Sequence, residues 1–476
     1  MVSYGKVNER IVKEIENIVG AQNVSTRTED LLCYSFDASL HRHTPEVVVR
    51  PHKTEEISAI MKVASRERIP VTPRGASSGA AGAAVPIAGG ILMDMTGMNK
   101  ILSIDADNQI TVVEAGIVCD DLNEKLAKYN QFFPPDPSSG ISCTIGGMIN
   151  TNAAGNRALK YGDTKDSTQW LEVVLSSGEI IHTGSKTLKS VSGFDLTSLM
   201  VGSEGSLGIV TQACLKTAPL PSAYATAMFV FDSVESLARA AARIRQAGFV
   251  PEMLEFMDRK TTKVATEYAG LRDFPEGNFM LVDYGGSKEA VNPAMEKIVE
   301  VCSTDKPKHV EQVYQHQPEY RMKLIQARKG ALPALARLRP TVVLEDCSVP
   351  LTALPEAAVK IESIPKVINV EGFDLGNFGH IGDGNMHPCF IFDDQERKQM
   401  AAFEKALDML YVDIVLPLGG SVTAEHGIGL AKAKYLPQEI DAGTLRMMRE
   451  IKKTFDPLLI LNPGKGKGGP YPLEAA

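Results

Sequence analysis

Isoleucines 11, 15 and 18 recur at helical spacing among charged neighbours in MVSYGKVNERIVKEIENIVG, predicting a short amphipathic helix near the N-terminus. The stretch PEVVVRPHKTEEISAIMKVASRERIPVTPRG, beginning at Pro45, reads as strand, turn, helix and strand. Its β-branched runs flank a helical apolar period that opens at Thr54 and Glu55. From there to about residue 221, short apolar runs alternate with glycine turns, as in GGILMDMTGM, QITVVEAGI and LEVVLSSGEIIHTG. The texture changes at TAMFVFDSVESLARAAARIRQAG, a strand followed by a helix capped at Ser233, and continues through PEMLEFMD and NFMLVDYGG. A long helical pattern runs from Asp394 to about Leu416 and stops at PLGG; after EHGIG the tail is helical again until FDPLLILNPGKG. The pattern predicts an α+β protein with boundaries near 42, 221 and 415, giving segments 1–42, 43–221, 222–415 and 416–476.

Composition narrows the class. At 476 residues the length prior is about three domains. Apolar residues at 44% and charged ones at 23% are the balance of an ordinary globular protein, and a formal net charge of −8 argues against nucleic acid or an anionic membrane as the main partner. The apolar run AAGAAVPIAGGILM is too short and too broken by glycine and proline to span a bilayer, and the charged N-terminus lacks a signal-peptide pattern. The seven cysteines include no C-x-x-C, which excludes a thiolate cluster and points to free thiols in the cytoplasm.

Glycine is informative through its clustering. PRGASSGAAG (73–82) follows the strand IPVTP and can turn its N–H groups toward an anion. It is neither G-x-G-x-x-G nor a Walker loop, and Pro86 stands where a Rossmann helix would begin. PPDPSSGISCTIGGMINTNAAGNRALKYGDT (134–164) and LMVGSEGSLGIVT (199–211) add two further glycine-rich loops. Singly, each also fits a flexible surface loop. Together they suggest one long phosphate-bearing ligand wrapped in backbone, as a dinucleotide would be.

A second constellation lies downstream. FGHIGDGNMHPCF (378–390) holds His380 and His387, and glycines 382 and 384 permit the chain to fold back so that both imidazoles converge. GGSVTAEHGIGLAKAKYL (419–436) brings in Glu425 and His426, whose adjacent side chains are expected to diverge. His380, His387 and Glu425 make an open three-ligand set suited to Zn²⁺, Mn²⁺ or Fe²⁺. The same residues also fit a polar loop whose histidines bond nearby backbone, with Glu425 as a cap.

The ordered motifs PRGASSGAAG, PPDP…TIGGMINTNAAG…YG and GSEGSLGI resemble the FAD-binding domain of the vanillyl-alcohol-oxidase/p-cresol-methylhydroxylase flavoprotein superfamily. With H-I-G-D-G-N-M-H-P and E-H-G-I-G, the chain from Pro45 to Lys465 is similar to the FAD-dependent D-2-hydroxyacid dehydrogenases, which include D-lactate dehydrogenase and the glycolate oxidase flavoprotein subunit. The resemblance implies a two-part FAD-binding domain and an α+β substrate cap. It implies that Arg74, Gly75, Ser77, Ser78 and Gly79 hold the FAD pyrophosphate. Thr144, Gly146, Gly147, Asn152 and Gly155 would lie along the ribityl and isoalloxazine, and Gly205 and Ile209 would approach the adenine side. The first loop has no histidine, so the FAD is expected to be non-covalent.

The resemblance also raises the metal reading of His380, His387 and Glu425 above the loop reading, and makes His426 the base that takes the substrate hydroxyl proton as hydride passes to flavin N5. Arg328, in KLIQARKGALPALARLRP, would clamp the substrate carboxylate, although Ile325 stands where the family carries tryptophan; Asp346 has a structural look. Leu344 and Cys389 stand where 2-hydroxyglutarate enzymes carry lysine and asparagine, which favours D-lactate, with glycolate as the alternative. With no NAD fingerprint and no cysteine cluster, electrons are expected to leave to a protein acceptor, and the resemblance to multi-subunit members implies an electron-transfer flavoprotein or an iron–sulfur partner subunit. The rivals are a cofactor-carrying subunit without substrate, a metal hydrolase or non-haem iron protein, and a non-redox enzyme like alkyl-dihydroxyacetone-phosphate synthase. The complete His/His/Glu/His set argues against the first, and the glycine loops argue against the second.

Overall fold

The N-terminal helix forms where its period places it, over Glu9–Val19, and buries Ile11, Ile15 and Val19 while Ile18 lies half-buried beside them. It belongs to one of two units into which contacts divide the chain in this computed structural model, which describes residues 3–313 and 317–465. The first unit comprises Met1–Ala154, Gly162–Leu220 and Glu425–Ala476; the second comprises Gly155–Tyr161 and Pro221–Ala424. Contacts therefore join the expected segments 1–42 and 43–221 with the C-terminal tail from Glu425, while 155–161 goes with the second unit.

In the first unit, Val47–Val49, Ile91–Asp94 and Val71–Arg74 run parallel, with Val24–Ser25 antiparallel at one edge. Val47–Val49 and Ile91–Asp94 are buried at every position, the pattern of parallel strands covered on both faces. The helix Thr54–Glu67 makes the crossover. The C-terminal segment returns to the free edge of this sheet: Val71 N–H donates to Ile460 O (2.8 Å) and Asn462 N–H to Val71 O (2.7 Å). A second sheet is antiparallel throughout, in the order Ile101–Asp105, Ile110–Glu114, Ile209–Lys216, Thr168–Val174, Ile180–Gly184.

The second unit is built on one antiparallel sheet. Its path runs His309–Val313, Ala223–Phe231, Asn278–Gly286, Met253–Met257, Asp374–Gly379, Asn385–Phe392, Thr341–Leu344, and Cys347–Ser348 also pairs with Asn385–Phe392. The helix Val234–Gln246 begins at the predicted cap, where the Ser233 side chain accepts from Ser236 N–H. The long downstream helix starts later than its period suggests, at Arg397 rather than Asp394. Asp393 and Gln399 side chains bond the backbone of Gln395 and Asp393 and hold 393–396 as a turn. After Asp408 the helix widens into a π-helical segment, Met409–Val415. Among the described residues the tail is helical only over the short turn Leu436–Glu439 and then Ala442–Phe455, because Gly427 and Gly429 take positive φ and break the helical pattern after His426.

Candidate functional site

In the first unit the three glycine-rich segments meet. Thr144 caps the helix Ile145–Thr151 by accepting from Gly147 N–H (3.2 Å). A Cβ on Gly75 would lie 2.2 Å from Thr144 Oγ1, so a side chain where the 73–79 loop touches this helix start would displace the capping hydroxyl. Gly205, at φ +69°, turns against Pro73, whose Cγ would be 2.7 Å from an added Cβ. Asn150 ties the segments together: its Oδ1 accepts from Gly205 N–H (2.9 Å) and its Nδ2 donates to Gly146 O (2.7 Å). Nothing lies within 4 Å of an added Cβ at Gly79, and Ser78 and Gly79 are exposed.

The remaining expected FAD residues are more committed. Arg74 Nη1 donates to Phe36 O (2.7 Å) and Tyr34 O (3.2 Å), which makes the guanidinium a strap on 34–36; burial pulls its pKa below the usual arginine value. Ser77, at φ +60°, donates through Oγ to Phe36 O (3.2 Å). Asn152 takes the left-handed conformation that ends its helix, and its Nδ2 donates to Asp163 (2.7 Å). Gly155 opens the 155–161 excursion at φ +101°. Ile209 packs its side chain into the apolar core, leaving only backbone for a ligand. A cradle in which glycines are required at the loop crossings, with open backbone at 78–79, fits a long phosphate-bearing cofactor.

The C-terminal turn is pinned by a buried carboxylate. Glu204 accepts from Ile428 N–H (2.7 Å) and Gly429 N–H (2.9 Å), and burial raises its pKa despite those amide bonds. The turn carries Glu425 and His426, whose side chains do not diverge: Glu425 Oε1 lies 3.8 Å from His426 Nε2. Positive φ at Gly427 bends the backbone sharply after the pair, and that local geometry is what residue spacing alone could not predict.

In the second unit, the strands Asp374–Gly379 and Asn385–Phe392 form a hairpin turned by Ile381–Asp383 and Gly384. The fold-back brings the His380 and His387 rings to 5.3 Å between centroids, nearly perpendicular at 88°. His380 Nδ1 lies 2.8 Å from Glu255 Oε1. That bond fixes the proton on Nδ1 and puts the ligating lone pair on Nε2, the arrangement of a metal-binding histidine backed by a carboxylate. His387 Nδ1 is 3.5 Å from Asp346 Oδ1, an ion-pair distance rather than a hydrogen bond. Asp346 is held in turn by Asn385 Nδ2 (2.7 Å), Thr423 Oγ1 (2.8 Å) and Ala424 N–H (2.7 Å). Next to it Glu345 accepts from Tyr411 in the π-helical segment (2.5 Å), and burial with Glu345 beside it holds that phenol well above its usual range.

Arg328 is almost fully buried at the same cluster. Its Nη2 lies 2.7 Å from Glu255 Oε2, and the guanidinium stacks 4.7 Å from the Phe378 ring centroid. The contact is a close ion pair off the N–H direction: Arg328 Nε and Nη2 and Glu255 Oε2 make no aligned hydrogen bond within the described residues. A buried fork with donor capacity to spare, beside two converging imidazoles, suits a small anionic ligand and a divalent ion. Sequence reasoning missed Glu255, Asn150 and Glu204. A charged residue inside the apolar run MLEFM was the available signal for the first.

The fold is that of the p-cresol-methylhydroxylase type of flavoprotein: p-cresol methylhydroxylase with substrate bound superposes with a TM-score of 0.79, at 16% identity over 96% of each chain. Residues 45–184 match the FAD binding domain and residues 220–466 match the C-terminal domain of FAD linked oxidases. Glycolate oxidase subunit GlcD of Bacillus subtilis (strain 168) is 37% identical over 462 residues, covering 96% of this chain and 97% of the relative. D-lactate dehydrogenase of Anaerostipes hadrus is 32% identical over 481 residues, covering 97% and 98%. The chain belongs to the FAD-linked oxidase family and is an oxidoreductase. Among the described residues, no helix is long and apolar enough to cross a membrane.

Proposed function

We propose that this chain is an FAD- and divalent-metal-dependent D-2-hydroxyacid dehydrogenase acting on D-lactate, with a cytoplasmic site of work. The observation that carries the reading is the buried cluster of the second unit, where His380 and His387 converge beside Arg328. His380 and His387 offer two metal ligands, and Glu425 is the third that the sequence motifs supply. When bound, FAD supplies the two-electron acceptor and the metal ion a Lewis acid for the hydroxyl oxygen. Arg328 holds the substrate carboxylate through its planar fork. His426 Nε2 takes the hydroxyl proton, with Glu425 close enough to stabilise the imidazolium.

Two features favour a small hydroxyacid. Leu344 and Cys389 are register partners across neighbouring strands, and Cys389 is fully buried, so neither supplies a cation for a second carboxylate. The 37% identity to a glycolate oxidase subunit favours glycolate as a second reading. Electrons would leave to a protein acceptor, an electron-transfer flavoprotein or an iron–sulfur subunit. The test is His387→Ala: it should lose the divalent ion and activity while keeping FAD. An active wild-type protein without a divalent metal in elemental analysis would refute the metal part.

A further inference from the structure

We propose that Glu255 is a positioning residue that couples the metal ligand His380 to the carboxylate-binding Arg328; this rests on the metal reading above. The strand Met253–Met257 is buried at all five positions, and Glu255 is the one charge in it. A carboxylate in such a place is retained only with partners. Strand register supplies them. Phe256 pairs with Gly379 and Met257 with Phe378, so the next residue back, Glu255, stands beside His380. Its two oxygens are divided: Oε1 holds His380 Nδ1 at 2.8 Å and Oε2 faces Arg328 Nη2 at 2.7 Å. One group therefore sets the imidazole tautomer and ring direction for the metal and also the height of the guanidinium for the substrate. Movement of either is transmitted to the other through one short side chain.

A purely structural role, neutralising Arg328, makes a different prediction, and Arg328→Met with the double variant Glu255→Gln/Arg328→Met separates the two. The double variant leaves no unpaired buried charge. The readout is Mn²⁺ or Zn²⁺ retained against a competing chelator, with bound FAD as the check on folding. Loss of the carboxylate behind a ligating histidine weakens metal by about 10–100-fold. The double variant should therefore bind metal about 10–100-fold more weakly than Arg328→Met alone. Equal affinities would overturn the coupling while leaving the metal reading intact; a wild-type protein that binds neither ion overturns both. Should the double variant not retain FAD, Glu255→Asp keeps the charge near Arg328 but withdraws the carboxylate by one methylene. It should weaken metal in the same direction, and wild-type affinity there would overturn the proposal.

Discussion

Asn150→Ala removes a side chain that ties one glycine-rich segment to another. Gly205 N–H, which is buried, loses its Asn150 partner, while Gly146 O loses a second bond and keeps the helix bond from the Asn150 backbone N–H. A buried polar group left unmatched costs about 1–3 kcal/mol. Alanine is the better helix former in Ile145–Thr151 and returns roughly 0.5 kcal/mol. Asn150 itself is half-buried, so water replaces part of what is lost. The expected net loss is about 1–2 kcal/mol, a fall in Tm of about 2–8 °C at about 2–4 °C per kcal/mol. The same bonds set the spacing of 144–152 against 202–205, so FAD affinity should fall by about tenfold or more, the equivalent of 1.4 kcal/mol. The assay is thermal unfolding of the apo and FAD-loaded protein, with a titration of free FAD. The rise in Tm on adding FAD should shrink as the dissociation constant grows. An unchanged Tm would refute the hydrogen-bond argument. A lowered Tm with wild-type FAD affinity would refute the claim that Asn150 shapes the cofactor cradle.

Three further outcomes are expected. His426→Ala should keep FAD and metal but slow flavin reduction about 10²–10⁴-fold and abolish the acidic limb of the pH–rate profile; near-wild-type reduction in stopped flow would make His426 structural. Arg328→Lys should raise KM and slow flavin reduction far more than it affects FAD binding, since an ammonium cannot reproduce the two-pronged contact; unchanged kinetics would assign the carboxylate to another cation. The purified chain alone should reduce artificial dyes readily and NAD⁺ negligibly, and efficient NAD⁺ reduction without a partner would overturn the protein-acceptor reading.

What the sequence made legible was local. The helix Glu9–Val19 and the Ser233-capped helix Val234–Gln246 follow from apolar period and capping chemistry within a dozen residues. The glycine loops announced a backbone cradle because glycine at a loop crossing is a local steric requirement. What stayed hidden depends on strand register and distant partners. Glu255 and His380 are 125 residues apart and meet only because Met253–Met257 pairs with Asp374–Gly379. Asn150 reads as an ordinary helix residue until Gly205 turns back upon it. The return of the tail to Val71 and the strapping of 34–36 by Arg74 are likewise tertiary events. The π-helical widening over Met409–Val415 has no local signal; its Tyr411 bonds Glu345, a partner 66 residues earlier in the chain.

The proposed reaction draws two electrons from a small D-2-hydroxyacid onto the flavin. Anaerobic mixing of the purified, FAD-loaded protein with D-lactate, L-lactate, glycolate and D-2-hydroxyglutarate, followed by the visible flavin absorbance, tests it most directly. D-lactate should bleach the flavin within the turnover time and yield one pyruvate per FAD; glycolate should follow more slowly, with L-lactate and D-2-hydroxyglutarate close to inert. A flavin that keeps its oxidised spectrum with every one of these acids, in protein carrying its full complement of divalent metal, would contradict the claim.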